Sequence, residues 1–151
     1  MRYWIALLCL TLAAAEDPAA LSEQAQRLAG QQRFQEAERL WLQAIALSPE
    51  YYPALFNLGL FYSRQQKFAE AAGVLERAAH ASRGEFNAWY LWGTALSKLG
   101  RTEDALRAWR EALNLQPKNQ RLMQVMSVEY YKGRYFMEAA KLEGRDGHES
   151  G

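Results

Sequence analysis

The feature that most constrains this chain is that it aligns with itself, without a gap, at an offset of 34 residues. Ala37, Ala71, Ala105 and Ala139 fall in one column, each preceded by an acid at Glu36, Glu70, Asp104 and Glu138. Phe34, Phe68, Thr102 and Phe136 form a second column, Ala44, Ala78 and Ala112 a third, and Trp41, Leu75 and Trp109 a fourth. A fixed period of this length means that one supersecondary unit is stacked several times, each copy burying a face that it cannot bury alone. The frame gives units at 18–51, 52–85, 86–119 and a shorter one at 120–143.

Within a unit the spacing is helical. Trp89, Trp92, Gly93 and Leu96 stand at i, i+3, i+4 and i+7, one face of a helix, and Ala105, Trp109 and Ala112 make a second stripe. Between the stripes, Gly100 supplies the glycine that a helix-to-helix turn favours. Pro49 and Pro117 end the second helices of their units. The small residues Ala25, Gly59, Gly93 and Ser127 are expected to face the alanine column of the second helix, so that the two backbones approach closely.

These residues make the chain resemble the tetratricopeptide-repeat family. Its pattern of a large residue, then L-G, then Y, followed by A, F, A and P, is met by Leu55, Leu58-Gly59, Tyr62, Ala71, Leu75 and Ala78. It is met again by Trp89, Trp92-Gly93, Leu96, Ala105, Trp109, Ala112 and Pro117, and in the first unit by Leu21, Ala25, Leu28, Ala37, Trp41, Ala44 and Pro49. The resemblance implies an all-α solenoid of antiparallel helix pairs in a right-handed superhelix, with about four repeats and the last truncated. The second unit lacks the closing proline. In the fourth, Met123, Met126, Ser127, Tyr130, Phe136 and Ala139 keep the pattern, but Glu143 and Asp146 fall in the columns of Trp41 and Ala44. A short second helix and a polar frayed tail at 144–151 are therefore expected. No capping helix follows, which leaves the last apolar face for a partner or a second copy.

Residues 1–15 read as an address. Met1-Arg2 gives a positive start, Tyr3 to Ala15 is apolar apart from Thr11, and Ala13-Ala14-Ala15 precedes an abrupt change to Glu16-Asp17-Pro18. A charged start, a short apolar run and a small-x-small site describe a secretory signal peptide, and the run is well short of the ~20 residues that span a bilayer. The expected location is exported, periplasmic or secreted; the alternative is a membrane anchor formed by an uncleaved signal. Cys9 does not fit a lipid-attachment site, because Leu8 stands where a small residue is required and too few residues precede it.

Composition excludes several classes. Lys and Arg number 18 against 17 Asp and Glu, so no nucleic-acid or membrane-surface field is expected. A single cysteine allows neither an internal disulfide nor a thiol metal cluster, and His80 and His148 stand apart from any ligand-spaced carboxylate, each expected as a solvated surface histidine. No glycine-rich phosphate loop and no HExxH pattern occurs, and Ser150, His148 and Asp146 form a triad only on the tail. The repeated acids fall in the family's own column and are expected to complement helix starts. No catalytic residue, cofactor or metal is expected, and the chain is read as a non-enzyme.

The family resemblance places a concave face on the first helix of each unit. Mapped by repeat position, its inward residues include Ser22, Gln26, Phe56, Asn57, Leu60, Tyr90, Thr94, Gln124 and Val128, with Arg64, Lys98 and Lys132 as a basic line along the rim. A groove of aromatic and aliphatic groups with a cationic edge suits an extended or helical peptide carrying acids. The chaperone-tail clamp of the family is not supported: its columns hold Ser22 and Gln26, then Asn57, then Asn87 and Leu91, and the required cations are missing. Three roles are compatible with this reading. They are an exported scaffold or adaptor that binds a protein or peptide, a docking or homo-oligomerisation module using the C-terminal face, and an accessory subunit that positions an enzyme.

Overall fold

The computed structural model describes residues 17–146, with side chains as far as Arg134; the apolar leader at 1–15 and the tail residues 147–151 lie outside the described residues. Seven helices follow one another among the described residues: α1 Pro18–Gly30, α2 Phe34–Leu47, α3 Tyr52–Arg64, α4 Phe68–Ala81, α5 Phe86–Lys98, α6 Thr102–Leu115 and α7 Gln120–Asp146. Among the described residues there is no strand. The first helices of the units start at Pro18, Tyr52, Phe86 and Gln120, and α1 and α7 carry side-chain caps. Asp17 Oδ1 accepts from the Ala19 amide at 3.1 Å, and Asn119 Oδ1 accepts from the Leu122 amide at 3.0 Å.

Three turns within units share one construction. The Arg33 amide donates to the Leu28 carbonyl and the Gln32 amide to Ala29; Lys67 and Gln66 do the same to Tyr62 and Ser63, and Arg101 and Gly100 to Leu96 and Ser97. This is the Schellman closure, which needs one residue in the left-handed region. Gly100 adopts φ +74° there, and the first two units place glutamines in it, Gln32 at 62° and Gln66 at 60°.

The core runs the length of the stack. Ala37, Ala71, Ala105, Ala44, Ala78 and Ala112 are fully buried, and Leu55, Leu58, Leu75, Leu96 and Trp109 fill the space beside them. The small residues of the first helices do not meet only the alanines: Gly59 lies under Leu75 and Gly93 under Trp109. A Cβ on Gly59 would come within 2.5 Å of Leu75 Cγ, and one on Gly93 would collide with the Trp109 ring. Trp109 is fixed further by its indole Nε1, which donates to the Tyr90 carbonyl at 3.0 Å. In the same column Trp41 faces a unit with Ala25 where the third has Gly93, and its buried indole N–H has no partner.

The first helices touch each other, α1 against α3 and α3 against α5, while α2, α4 and α6 do not pack together to a comparable extent. The stack therefore curves with the first helices on the inside. The fourth unit departs from the expected helix pair. α7 runs unbroken from Gln120 to Asp146, through the positions where the other units turn and into Gly144 of the expected tail. A turn there would place Arg134 in the left-handed position. The second-helix columns that would reward it hold Glu143 and Asp146 in place of a large apolar residue and an alanine.

Candidate functional site: the inner face

The inner face is dominated by four rings. Tyr52 and Phe56 stack along α3 with centroids 5.5 Å apart and planes at 23°; Phe86 and Tyr90 do the same along α5, at 5.8 Å and 12°. Both pairs are i, i+4 on one helix face and recur at the same repeat positions, so adjacent units carry the same aromatic ladder. All four rings are half-buried. Burial, with Glu85 nearby, pushes the Tyr52 hydroxyl up to about 12. The flanking units have Pro18 and Ser22, and Gln120 and Gln124, in these columns. Sequence reading identified Phe56 and Tyr90 but missed Tyr52 and Phe86, which stand on the first residue of their units; the i, i+4 aromatic spacing was the available signal.

Asn57, Leu60 and Arg64 come together at the N-terminal edge of this face. With Gln26, Ala29, Gly30, Phe34, Trp41, Phe61 and Gln65 they line a hollow of about 630 Å³. Its floor is apolar: Phe61 packs against Trp41 at 5.4 Å and against Phe34 at 5.8 Å, and Phe34 remains 45% exposed. Its margin carries the amides of Gln26, Asn57 and Gln65 and the guanidinium of Arg64. Thr94 is half-buried and its hydroxyl donates to the Tyr90 carbonyl at 2.9 Å, so it is engaged within its own helix. Ser22 is buried rather than presented inward, and Gln124 and Val128 are exposed on α7.

The basic line divides. Among the described residues Arg64 and Lys98 are exposed and make no ion pair, whereas Lys132 lies 3.7 Å from Glu129. Two of the repeated acids, Glu36 and Asp104, are by contrast paired with arginines at the second-helix starts. Arg33 meets Glu36 through two hydrogen bonds of 2.7 and 2.6 Å, and Asp104 is held between Arg101 and Arg107. Hydrogen bonding from Arg33 holds the Glu36 carboxyl below the usual range, and Arg107 and then Arg101 do the same for Asp104. Uncompensated positive charge is thus left at the inner rim.

A second hollow of about 560 Å³ opens on the outer side where α4 and α6 splay, lined by His80, Trp89, Trp92, Arg107 and Arg110 among others. His80 is exposed but not simply solvated, since its ring sits edge-on to Trp89 at 5.3 Å and Trp92 at 5.7 Å. Sequence reading placed both tryptophans on one helix face; Trp89 is in the core and Trp92 packs against it, and the notch that they line was not anticipated. Among the described residues no group of three or more His, Cys, Asp or Glu could hold a metal ion, and no helix is long and apolar enough to cross a membrane.

Two tetratricopeptide-repeat family models match the chain, one over residues 22–86 and one over 86–119. No curated protein matches it in sequence. Among solved structures, MamA AMB-1 superimposes with a TM-score of 0.74 at 24% identity, covering 92% of this chain and 76% of that one. MamA from Desulfovibrio magneticus RS-1 gives 0.69 at 22%, covering 89% and 78%. The first TPR of Spaghetti (RPAP3), bound to the HSP90 peptide SRMEEVD, gives 0.69 at 21%, covering 78% and 94%. At these identities the likeness is one of fold.

Proposed function

The chain belongs to the tetratricopeptide-repeat family, and from that premise we propose that it is a non-catalytic scaffold or adaptor, exported from the cell interior, that holds a protein or peptide segment on its inner face. The observation that carries this reading is the repeated aromatic ladder, Tyr52–Phe56 and Phe86–Tyr90, beside the uncompensated Arg64 and Lys98. Stacked rings offer rigid contact area at little entropic cost, and unpaired cations at the rim favour a segment with acidic residues. The hollow beside Asn57, Leu60 and Arg64 suits one apolar side chain of that segment, with an acid following it toward the guanidinium. A similar fold holds an acidic peptide in the Spaghetti (RPAP3) structure, although the cations of the chaperone-tail clamp are not repeated here.

Titration with labelled peptides that combine an aromatic or aliphatic anchor with either acidic or basic neighbours tests the reading. The acidic set should bind, more weakly as salt rises; preference for the basic set would contradict it. Export rests on the positive start, the apolar run and the Ala13-Ala14-Ala15 site. Intact mass of the protein from the cell envelope should show a chain beginning at Glu16, and a full-length membrane-retained species would favour the anchor instead. A second role, docking through the C-terminal end, is favoured by the exposed face of α7.

A further inference from the structure

The aromatic ladder repeats, so it cannot by itself fix where a bound segment lies. Tyr52 and Phe86 share one column, Phe56 and Tyr90 a second, and Arg64 and Lys98 a third. A segment laid along one unit could slip to the other and find the same chemistry. The hollow at the N-terminal edge is not repeated in this way. Trp41 and Phe61 in its floor give way to Leu75 and Ala95 one unit later, and Asn57 and Leu60 give way to Leu91 and Thr94. Gly30 leaves its first-helix side bare, in the column that Arg64 and Lys98 fill in the next units, and a Cβ there would meet nothing within 4 Å. The charge is one-sided too. Of the described residues around the hollow Arg64 alone is charged, whereas the outer notch sets Glu76, Asp104 and Glu111 among its arginines.

Resting on the inner-face reading, we propose that this hollow sets the register of the bound segment. It takes one aromatic side chain, and an acidic residue beside that side chain reaches Arg64. A ring fits this floor better than a branched aliphatic group does. Phe61 is tilted against Phe34 at 45° and against Trp41 at 52°, and Phe34 is still 45% exposed. An entering ring therefore extends a cluster in the tilted arrangement that aromatic groups favour. The guanidinium can hold a carboxylate through two parallel hydrogen bonds, and no carboxylate lines the hollow to compete for it. The ladder then supplies contact area along the rest of the segment. With one hollow and two equivalent rungs, the chain holds one segment in one position.

Calorimetric titration of the full chain with three acidic peptides, identical except for one phenylalanine, leucine or alanine, tests it. The phenylalanine peptide should bind once per chain, about 30-fold more tightly than the alanine peptide, with the leucine peptide between them. Gly30→Phe, which sets a ring of the chain's own at the hollow, should abolish that preference with the helical spectrum retained. Leu60→Thr, which copies Thr94 of the next unit, should reduce it. Both variants should bind the alanine peptide as the unmodified chain does, whereas Phe56→Ala/Tyr90→Ala should weaken all three peptides and keep their order. Equal affinity for the three peptides, with loss in the ladder variant, would overturn the role of the hollow and leave the inner-face reading standing. A leucine peptide that matches the phenylalanine one, two peptides per chain, or a preference untouched by both hollow variants would overturn it as well. Failure of every peptide to bind would overturn both.

Discussion

The third and fourth units are written on one plan and are finished differently. In the third, α5 and α6 close on each other through Gly93 and Trp109, and Leu96 is sealed between them. In the fourth, Ser127 and Tyr130 stand open on a helix that never turns back. The junctions with the preceding unit differ in the same sense. Phe34 meets Phe61 ring to ring where α2 adjoins α3, while the equivalent pair where α6 adjoins α7 is Thr102 and the buried carboxylate of Glu129. Periodicity therefore fixes where helices lie, and the residue in each column decides whether a unit is closed by its own chain. A repeat protein can keep its register to the end and still leave the last face for something else.

The largest effects should separate these two units. Trp109→Ala should cost ~3–5 kcal/mol, the range for deleting a buried large aromatic, and Gly93→Leu should be comparably damaging because the ring above it has nowhere to go. Tyr130→Ala, in the column of buried Leu96, should cost less than about 1 kcal/mol in dilute protein. Thermal and urea melts of the three variants measure this, and equal costs for Trp109→Ala and Tyr130→Ala would erase the distinction. Next are the junctions. Phe61→Ala should cost about 3 kcal/mol through lost packing with Trp41 and Phe34, against roughly 1 kcal/mol for Glu129→Ala, which removes one hydrogen bond and a distant ion pair.

Much of this was legible in the residues themselves. The alanine columns and the glycines gave the helices and their pairing, because small residues at a fixed period let two backbones approach, while the way the pairs stack was an implication of the family resemblance. Other features were not. Tyr52 and Phe86 sit on the seams of the repeat frame, so their stacking with Phe56 and Tyr90 appears only once both helices exist. The straight run of α7 depends on what the missing turn would gain, which is a balance of weak terms, and the Phe136–Ala139 signal points to a second helix whether or not a turn precedes it. The outer notch of His80, Trp89 and Trp92 arises from splay between α4 and α6, a property of curvature that no single unit encodes.

Smaller effects sharpen the comparison within the closed units. The Tyr62 hydroxyl donates to Glu38 at 2.7 Å, and burial followed by this bond raises it above the usual tyrosine range. Tyr52 is raised to about 12 by burial and Glu85. Both groups favour the neutral form in the folded state. Their contribution is full below the ordinary tyrosine value of about 10 and is lost as pH rises toward 12. Ultraviolet titration should show two tyrosines ionising late, together with the onset of alkaline unfolding, and Tyr62→Phe should remove about 1 kcal/mol at neutral pH. The smallest effect belongs to the turns: Gln66→Gly, at φ 60°, should stabilise by roughly 0.5–1 kcal/mol. Gly100→Gln should lose a similar amount, readable as opposite shifts in melting midpoint.

The claim on which the functional account depends is that the inner aromatic ladder, not the outer notch, engages the partner. Calorimetric titration of an acidic, aromatic-anchored peptide into Phe56→Ala/Tyr90→Ala and into Arg107→Glu/Arg110→Glu tests it directly. The first pair should lose ~2 kcal/mol or more of binding free energy with the helical spectrum retained, as for truncated interface anchors. The outer pair should leave affinity within a factor of about two, as expected for charges remote from the contact. Loss of binding in the outer variant with full affinity in the inner one would place the partner on the outer side of the stack and contradict the account.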